Sequence, residues 1–343
     1  MTQQAVRQQA MITGVGVAIA GLAGAADLLD ASRPGGFDPD HDLQGRHLRH
    51  KDRASRLALR AVEYALGDAG LGGETDYLGD GDTTAVAVSS NLGSLDSVCE
   101  FVDTIAEGGV AALSPLGLPK TSSNVIAGAI AIQYHLRGPN LTLCNGLTSG
   151  LDTVHWAATL IAAGRAEVVV VVGVEPSSEV ITKFVGAPVF DGAVALVLES
   201  QAHAEARGGR PRAGIAGYAR SADLDHAVTA VLAAADGPVG LSLCGVGGSA
   251  SIARAGIQAR QLNLQDWLGE CSGALGIVEC AAGVAYLDGG AEQAVLALDG
   301  GSDSDAGAAV LLNPVHSTDP VHSTAGLATE RDRHPMVEGT DND

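Results

Sequence analysis

The sequence predicts a layered α/β protein, and three observations lead there. Short β-branched runs alternate with Ala-rich stretches of helical spacing. The run over residues 168–174 is continuously apolar, as a strand buried on both faces must be. After about residue 205 the same alternation resumes, so the second half reads as a divergent copy of the first.

Residues 11–17 read as the first strand. Over residues 53–70, Leu57, Ala61, Val62, Ala65, Leu66 and Ala69 recur near helical spacing, and Gly70 supplies the stop. A strand follows at 85–88, a helix at 95–105, an Ala-rich helix at 122–136, a strand at 141–144 and a helix at 151–163. Residues 194–199 are expected to neighbour the valine run. The second copy then offers a strand at 214–218, helix 225–234, strand 239–243, helix 273–287, and strands 294–298 and 308–312. Three segments result: 1–204, 205–313, and a polar tail over 314–343. In the tail Val-His-Ser-Thr recurs at Val315 and Val321, and the composition predicts disorder with an acidic end.

The chain has 343 residues, 46% of them hydrophobic, enough for sizeable cores. Aromatics make up only 3%, which argues against base stacking and a nucleic-acid partner. A formal charge of −20 repels phosphate backbones and anionic membranes, and disfavours direct docking of an acidic carrier protein. The five cysteines lack paired metal spacing, so a reduced, cytoplasmic protein without metal or other cofactor is expected. Residues 11–25 are apolar but too short and too glycine-broken to span a membrane.

Residues 113–152, LSPLGLPKTSSNVIAGAIAIQYHLRGPNLTLCNGLTSGLD, resemble the β-ketoacyl synthase family of the thiolase superfamily around its nucleophile elbow. ITGVGV at Ile12, the stretch from Leu48 to Leu71, AAGRAEVVVVVGVE at Ala162 and FDGAVALVLE at Phe190 extend the likeness over about residues 11–313. The resemblance implies a thiolase-like five-layer αβαβα sandwich of two related halves, dimerised through the strand before the elbow.

It also implies where catalysis should sit. The family's nucleophile is a Cys at a strand-to-helix turn, where the helix N-terminus lowers the thiol pKa and backbone N–H groups hold the oxyanion. Two histidines assist decarboxylation. Here the elbow reads Asn145-Gly146-Leu147-Thr148-Ser149-Gly150, placing Leu147 at the nucleophile position. The first histidine turn matches Cys244-Gly245-Val246-Gly247 and the second starts Gly269-Glu270-Cys271, so Cys244 and Glu270 stand for the histidines. Gln265 stands nearest the family's usual Lys, and the segment normally bearing a gating Phe reads Asp299-Gly300-Gly301-Ser302-Asp303. The loops from Glu175 to Phe190 and from Tyr218 to Cys244 are shorter than the family's. No catalytic residue is expected to survive.

A ketosynthase frame without its nucleophile resembles the chain-length factors of type II polyketide systems. That resemblance implies a heterodimer with an active ketosynthase, reached by the acyl carrier protein through that partner, in which the inactive subunit limits chain growth by blocking a tunnel. Ser94, Ser97 and Phe101 would line it at i, i+3, i+7, with Leu116 and Gly117 facing the partner; the plainer role for Phe101 is core packing. Two other readings stand beside this one: an acyltransferase or thioester enzyme using Ser149 or Cys244, and a non-enzymatic homodimeric scaffold. Of the remaining polar candidates, Thr148 and Ser149 suit the start of a helix, and Cys144 a buried small hydrophobe. His135 and His155 fall on predicted helices, and His41, His47 and His50 in a charged loop. Gly14-Val15-Gly16 imitates half of a dinucleotide fingerprint but lacks its third glycine and acidic residue.

Overall fold

The computed structural model describes residues 9–30, 35–72, 76–115, 117–235, 237–245, 247–301 and 304–315. Among them are ten strands: β1 (Ala10–Ile19), β2 (Thr84–Ser89), β3 (Asn140–Leu143), β4 (Val168–Glu175), β5 (Gly192–Ser200), β6 (Ala213–Ser221), β7 (Val239–Cys244), β8 (Arg260–Leu262), β9 (Ala294–Asp299) and β10 (Gly307–Pro314). The α-helices in the first part are α1 (Pro39–Asp42), α2 (Arg53–Asp68), α3 (Leu95–Gly108), α4 (Val125–Gln133), α5 (Ser149–Ala162) and α6 (Glu179–Val185). Those that follow are α7 (Gln201–Ala206), α8 (Leu224–Leu232), α9 (Gly248–Arg254), α10 (Gln265–Leu268) and α11 (Leu275–Asp288).

The strands form one mixed sheet in the order β3-β2-β4-β5-β1-β6-β10-β9-β7-β8. Its second five strands mirror the first. β2 is parallel to β3 and β4, and β5 is antiparallel to β4 and β1; β7, β8, β9, β10 and β6 repeat those relations. The arms meet where Met11 and Ile12 of β1 pair with Gly214 and Ala213 of β6.

Burial sorts the helices into layers. Alternate residues of both arms, among them Val169, Val171, Leu243 and Val295, share one core with α5 and α11. The opposite faces of the strands pack outward, Val168, Val170 and Val172 against α2 and α4, and Leu296, Leu298 and Leu311 against α8 and α9. The order is therefore helix, sheet arm, helix pair, sheet arm, helix, which is the thiolase-like arrangement.

Local chemistry explains the main elements. β4 is buried at every position, as its valine run requires, and pairs antiparallel with β5 over Val168 to Glu175. α2 starts because the Asp52 carboxylate accepts from the Ser55 N–H at 2.8 Å, and the chain leaves it through Gly70 at φ +69°. A Cβ on Gly16 would lie 2.0 Å from the Ala61 carbonyl oxygen, so the Gly14-Val15-Gly16 pattern serves close packing of β1 under α2.

Several expectations are corrected. The Ala-rich helix is shorter than 122–136: α4 begins after Asn124 and ends before His135, which takes φ +56° and lies outside the helix. The short elements α6, α7, α9, α10 and β8 were not anticipated. Pro314, placed in the tail from sequence, still belongs to β10, opposite Ala213; the rest of that tail beyond Val315 lies outside the described residues.

Candidate functional site

β3 runs into a tight turn, Cys144-Asn145-Gly146, with Gly146 at φ +86°, and α5 begins at Ser149. Leu147 stands at the tip, 42% exposed, beside a cleft of about 240 Å³ that Asn145, Thr148, Arg220 and Ala306 also line. Thr148 occupies the N-cap position of α5 but its hydroxyl does not cap the backbone; it donates to Asp152 Oδ2 at 2.9 Å. Ser149 is fully buried. Its hydroxyl accepts from the Asn145 N–H at 2.8 Å and donates to Asn145 Oδ1 at 2.7 Å, so it braces the turn. Cys144 is exposed rather than buried, and its thiol donates to the Ser90 carbonyl at 2.9 Å. Partial burial and the nearby Glu175 push that thiol's pKa up.

Asn91, just after β2, ties the elbow to the turn that carries Glu270. Its amide nitrogen donates to the Gly146 carbonyl and to Ser272 Oγ, each at 3.0 Å. Asn91 is held in turn by Glu175 at the end of β4, whose Oε1 accepts from the Asn91 N–H at 2.7 Å and the Gly273 N–H at 3.1 Å. Glu270 itself is committed to local structure, its Oε1 accepting from the Ser272 N–H at 2.9 Å. Nearby, Cys244 is 1% exposed, and burial raises its thiol. Its polar neighbour is Ser249 Oγ at 3.7 Å, so it forms no pair with Glu270. Gly245 approaches both Gln265 and Asp299: a Cβ there would lie 3.1 Å from Gln265 Oε1 and 3.2 Å from Asp299 Oδ1.

Leu147 and Glu270 thus sit on turns that Asn91 joins, whereas Cys244 ends strand β7. Behind them lie two carboxyls that sequence reasoning missed. Glu279 on α11 and Asp299 on β9 are fully buried, and both Glu279 oxygens and Asp299 Oδ2 lack a hydrogen-bond partner among the described residues. Burial drives both groups well above the ordinary carboxylate range, and each further acid in reach adds to it. A carboxylate inside an apolar helix was the available signal for Glu279; nothing in sequence showed that it would lack a cation.

The tunnel residues are partly assembled. Ser97, Phe101 and Gly117 line one cavity of about 680 Å³ together with Glu100, Thr104 and Lys120. Ser94 is instead the N-cap residue of α3 and is not among the lining residues, while Leu116 lies outside the described residues, as does Val246. No residue of α3 is buried, so Phe101 is not core of this chain by itself. His50 borders the same cavity, whereas His41 is exposed and pairs with Asp42 at 2.8 Å. His155 stacks on Tyr218 with ring centroids 4.0 Å apart, and burial lowers its pKa.

This geometry has relatives. Residues 20–187 match the family model described as β-ketoacyl synthase, N-terminal domain. Over 219 residues the chain is 29% identical to 3-oxoacyl-[acyl-carrier-protein] synthase 2 of Rhizobium meliloti strain 1021, covering 56% of this chain and 52% of that protein. Over another 219 it is 31% identical to a protein of Streptomyces rimosus named as an oxytetracycline polyketide β-ketoacyl synthase 1, covering 53% and 50%. The aligned part spans about half the length of these relatives. Among solved structures, the ishigamide ketosynthase/chain length factor superposes with a TM-score of 0.74 at 21% identity, over 90% of this chain and all of that one. A type II polyketide ketosynthase in complex with its acyl-carrier protein superposes with a TM-score of 0.71 at 16% identity, again over 90% and 100%.

The chain is a ketosynthase-like protein with the thiolase fold. Its residues 20–187 are similar to the N-terminal domain of the β-ketoacyl synthases.

Proposed function

We propose that this chain is a non-condensing subunit of the chain-length-factor kind, pairing with an active ketosynthase in type II polyketide or fatty acyl assembly and shaping the acyl tunnel. The observation that carries this reading is Leu147. It occupies the exposed tip of the strand-to-helix turn where the family needs a thiolate, and an alkyl side chain forms no thioester. At the positions matched to the two histidines, Cys244 is sequestered and Glu270 is engaged with Ser272.

A partner-facing surface supports the reading. α3 buries none of its residues, leaving Val102 56% exposed, and Val110 and Leu118 of the following segments are exposed beside it. β3 forms one edge of the sheet, with no strand paired on its outer side among the described residues. An open strand edge and exposed apolar side chains on the same half of the molecule are features that association covers. The net charge of −20 favours docking of an acidic carrier on the partner instead.

The thioester-enzyme alternative has less support, because Ser149 is buried and fully engaged and the Cys244 thiol is raised and buried. A homodimeric scaffold would use the same edge and helix, so the two remaining readings differ in the identity of the partner. Co-expression with an active ketosynthase encoded nearby, size-exclusion chromatography and intact mass after incubation with an acyl-carrier thioester test the proposal. A one-to-one complex acylated only on the other chain is expected. Acylation of this chain, or a homodimer indifferent to the ketosynthase, overturns it.

A further inference from the structure

β4 ends in a buried acid. Glu175 is fully buried, and the interactions that act on its carboxyl come from neutral donors, with no Lys, Arg or His among them. Oε1 accepts from the N–H groups of Asn91 at 2.7 Å and Gly273 at 3.1 Å; Oε2 accepts from the Leu92 N–H at 3.0 Å and from Ser90 Oγ at 3.2 Å. Four donors directed at one carboxyl suit an acceptor-only carboxylate, and a proton on either oxygen must displace one of them.

The donors belong to separate pieces of chain. Ser90, Asn91 and Leu92 connect β2 to α3, the helix carrying Ser97 and Phe101, while Gly273 lies in the turn that opens α11 just after Glu270. Asn91 extends the connection to the elbow, donating to the Gly146 carbonyl at 3.0 Å while its Oδ1 lies 3.2 Å from Ser149 Oγ.

We propose that Glu175 is the positioning residue of this site: its carboxylate holds the β2–α3 connection, the elbow and the turn opening α11 in register, and protonation releases them together. This goes beyond the subunit reading and does not depend on it, because the clasp lies within one chain.

The other buried acids of this region, Glu279 and Asp299, act on Cys271 as Glu175 does, but it is Glu175 that takes the four donors of the clasp. From the end of β3 the Cys144 thiol, and from the turn before α11 the Cys271 thiol, feel its charge, and both are pushed upward and stay neutral near pH 7. Glu270 adjoins Cys271 and acts on that thiol, and on the β5 side Asp191 is held by Arg53, whose Nε donates at 2.8 Å. Burial raises the Glu175 carboxyl to about 7 against the pull of its four donors.

Backbone hydrogen–deuterium exchange of the isolated chain, corrected for intrinsic chemical exchange, tests the clasp from about pH 5 to about pH 9. In the wild type, exchange at Asn91, Leu92 and Gly273 should rise in step as the pH falls through about 7. In Glu175→Gln, which sets an amide N–H₂ against N–H donors, exchange at the same positions should be fast and nearly independent of pH. Ser90→Ala removes a donor that favours the carboxylate, so its midpoint should move upward. Wild-type exchange flat with pH, or full protection in Glu175→Gln, overturns the proposal. If Glu175→Gln does not fold, the Ser90→Ala midpoint decides, and an unmoved midpoint overturns it. None of these readouts needs a partner ketosynthase, so their failure is separate from failure of the subunit assignment.

Discussion

The Tyr218 hydroxyl donates to Asp152 Oδ1 at 2.5 Å, joining β6 of the second arm to α5, the helix launched by the elbow. Asp152 also accepts from Thr148 and from the side-chain amide of Asn145, so one buried carboxylate braces both the turn and the far arm. Burial and that carboxylate raise the Tyr218 phenol well above the ordinary tyrosine range. Tyr218→Phe should cost about 1.5–3 kcal/mol in chemical denaturation, the range for a hydrogen bond to a charged group. Spectrophotometric titration of the variant should lose the tyrosine step that lies furthest into alkali.

The buried carboxyls Glu279 and Asp299 give stability a definite pH dependence. Each binds its proton more tightly folded than unfolded, so their contribution is fully present below the unfolded carboxylate pKa and is lost as the pH rises above it. Glu279→Gln removes one ionisable group without changing its shape. Denaturant midpoints should show the variant gaining about 1–3 kcal/mol over wild type near pH 8, with the gain shrinking near pH 5. An equal difference at both pH values would show that Glu279 does not titrate with folding.

In the proposed heterodimer Phe101→Ala should lengthen the product, because it widens the cavity that Ser97 and Gly117 also line. Mass spectrometry of the released acyl chains reads the change. Unchanged length would remove Phe101 from any gating role.

Leu147→Cys should create an alkylatable thiol without restoring condensation. The turn and the N-terminus of α5 are intact and would favour a thiolate there. Intact mass after iodoacetamide should show modification of the introduced thiol faster than of Cys144, whose pKa burial raises. Under the proposed non-condensing role the variant should show no condensation either, since Cys244 and Glu270 offer no imidazole.

α5 and α11 cross through glycine. A Cβ on Gly276 would lie 2.6 Å from the Leu151 backbone nitrogen, and one on Gly150 would lie 2.8 Å from the Gly276 nitrogen. Gly276→Ala should therefore destabilise by about 1–3 kcal/mol in denaturant unfolding, the range for overpacking a tight core.

What could be read in sequence followed the length and regularity of each element. The valine run, the spacing of Leu57 to Leu66 and the elbow strand all carry enough periodicity or motif to stand alone. α9 and α10, with seven and four residues, do not complete enough turns to show a face. α4 ended early because His135 adopts a left-handed conformation, which residue type does not announce. In the site, Leu147, Cys244 and Glu270 came from motif frames, which preserve position along the chain. Asn91, Glu175 and Asp152 act through bonds to residues 55 to 181 positions away, and such pairings are properties of the fold. The resemblance and the i, i+3, i+7 spacing put Ser94 on the tunnel, but it lies at the very start of α3, before the helical face is established.

The two sheet arms touch through only a short stretch of β1 and β6, while α5 and α11 form most of the shared core. Strand register in one arm is thus nearly independent of register in the other, and the loops at the strand ends lie outside both. Shortening a loop or exchanging a reactive side chain there leaves the hydrogen-bond ladders of each arm untouched. In a scaffold of this kind a change at a strand end carries a cost confined to the loop in which it occurs.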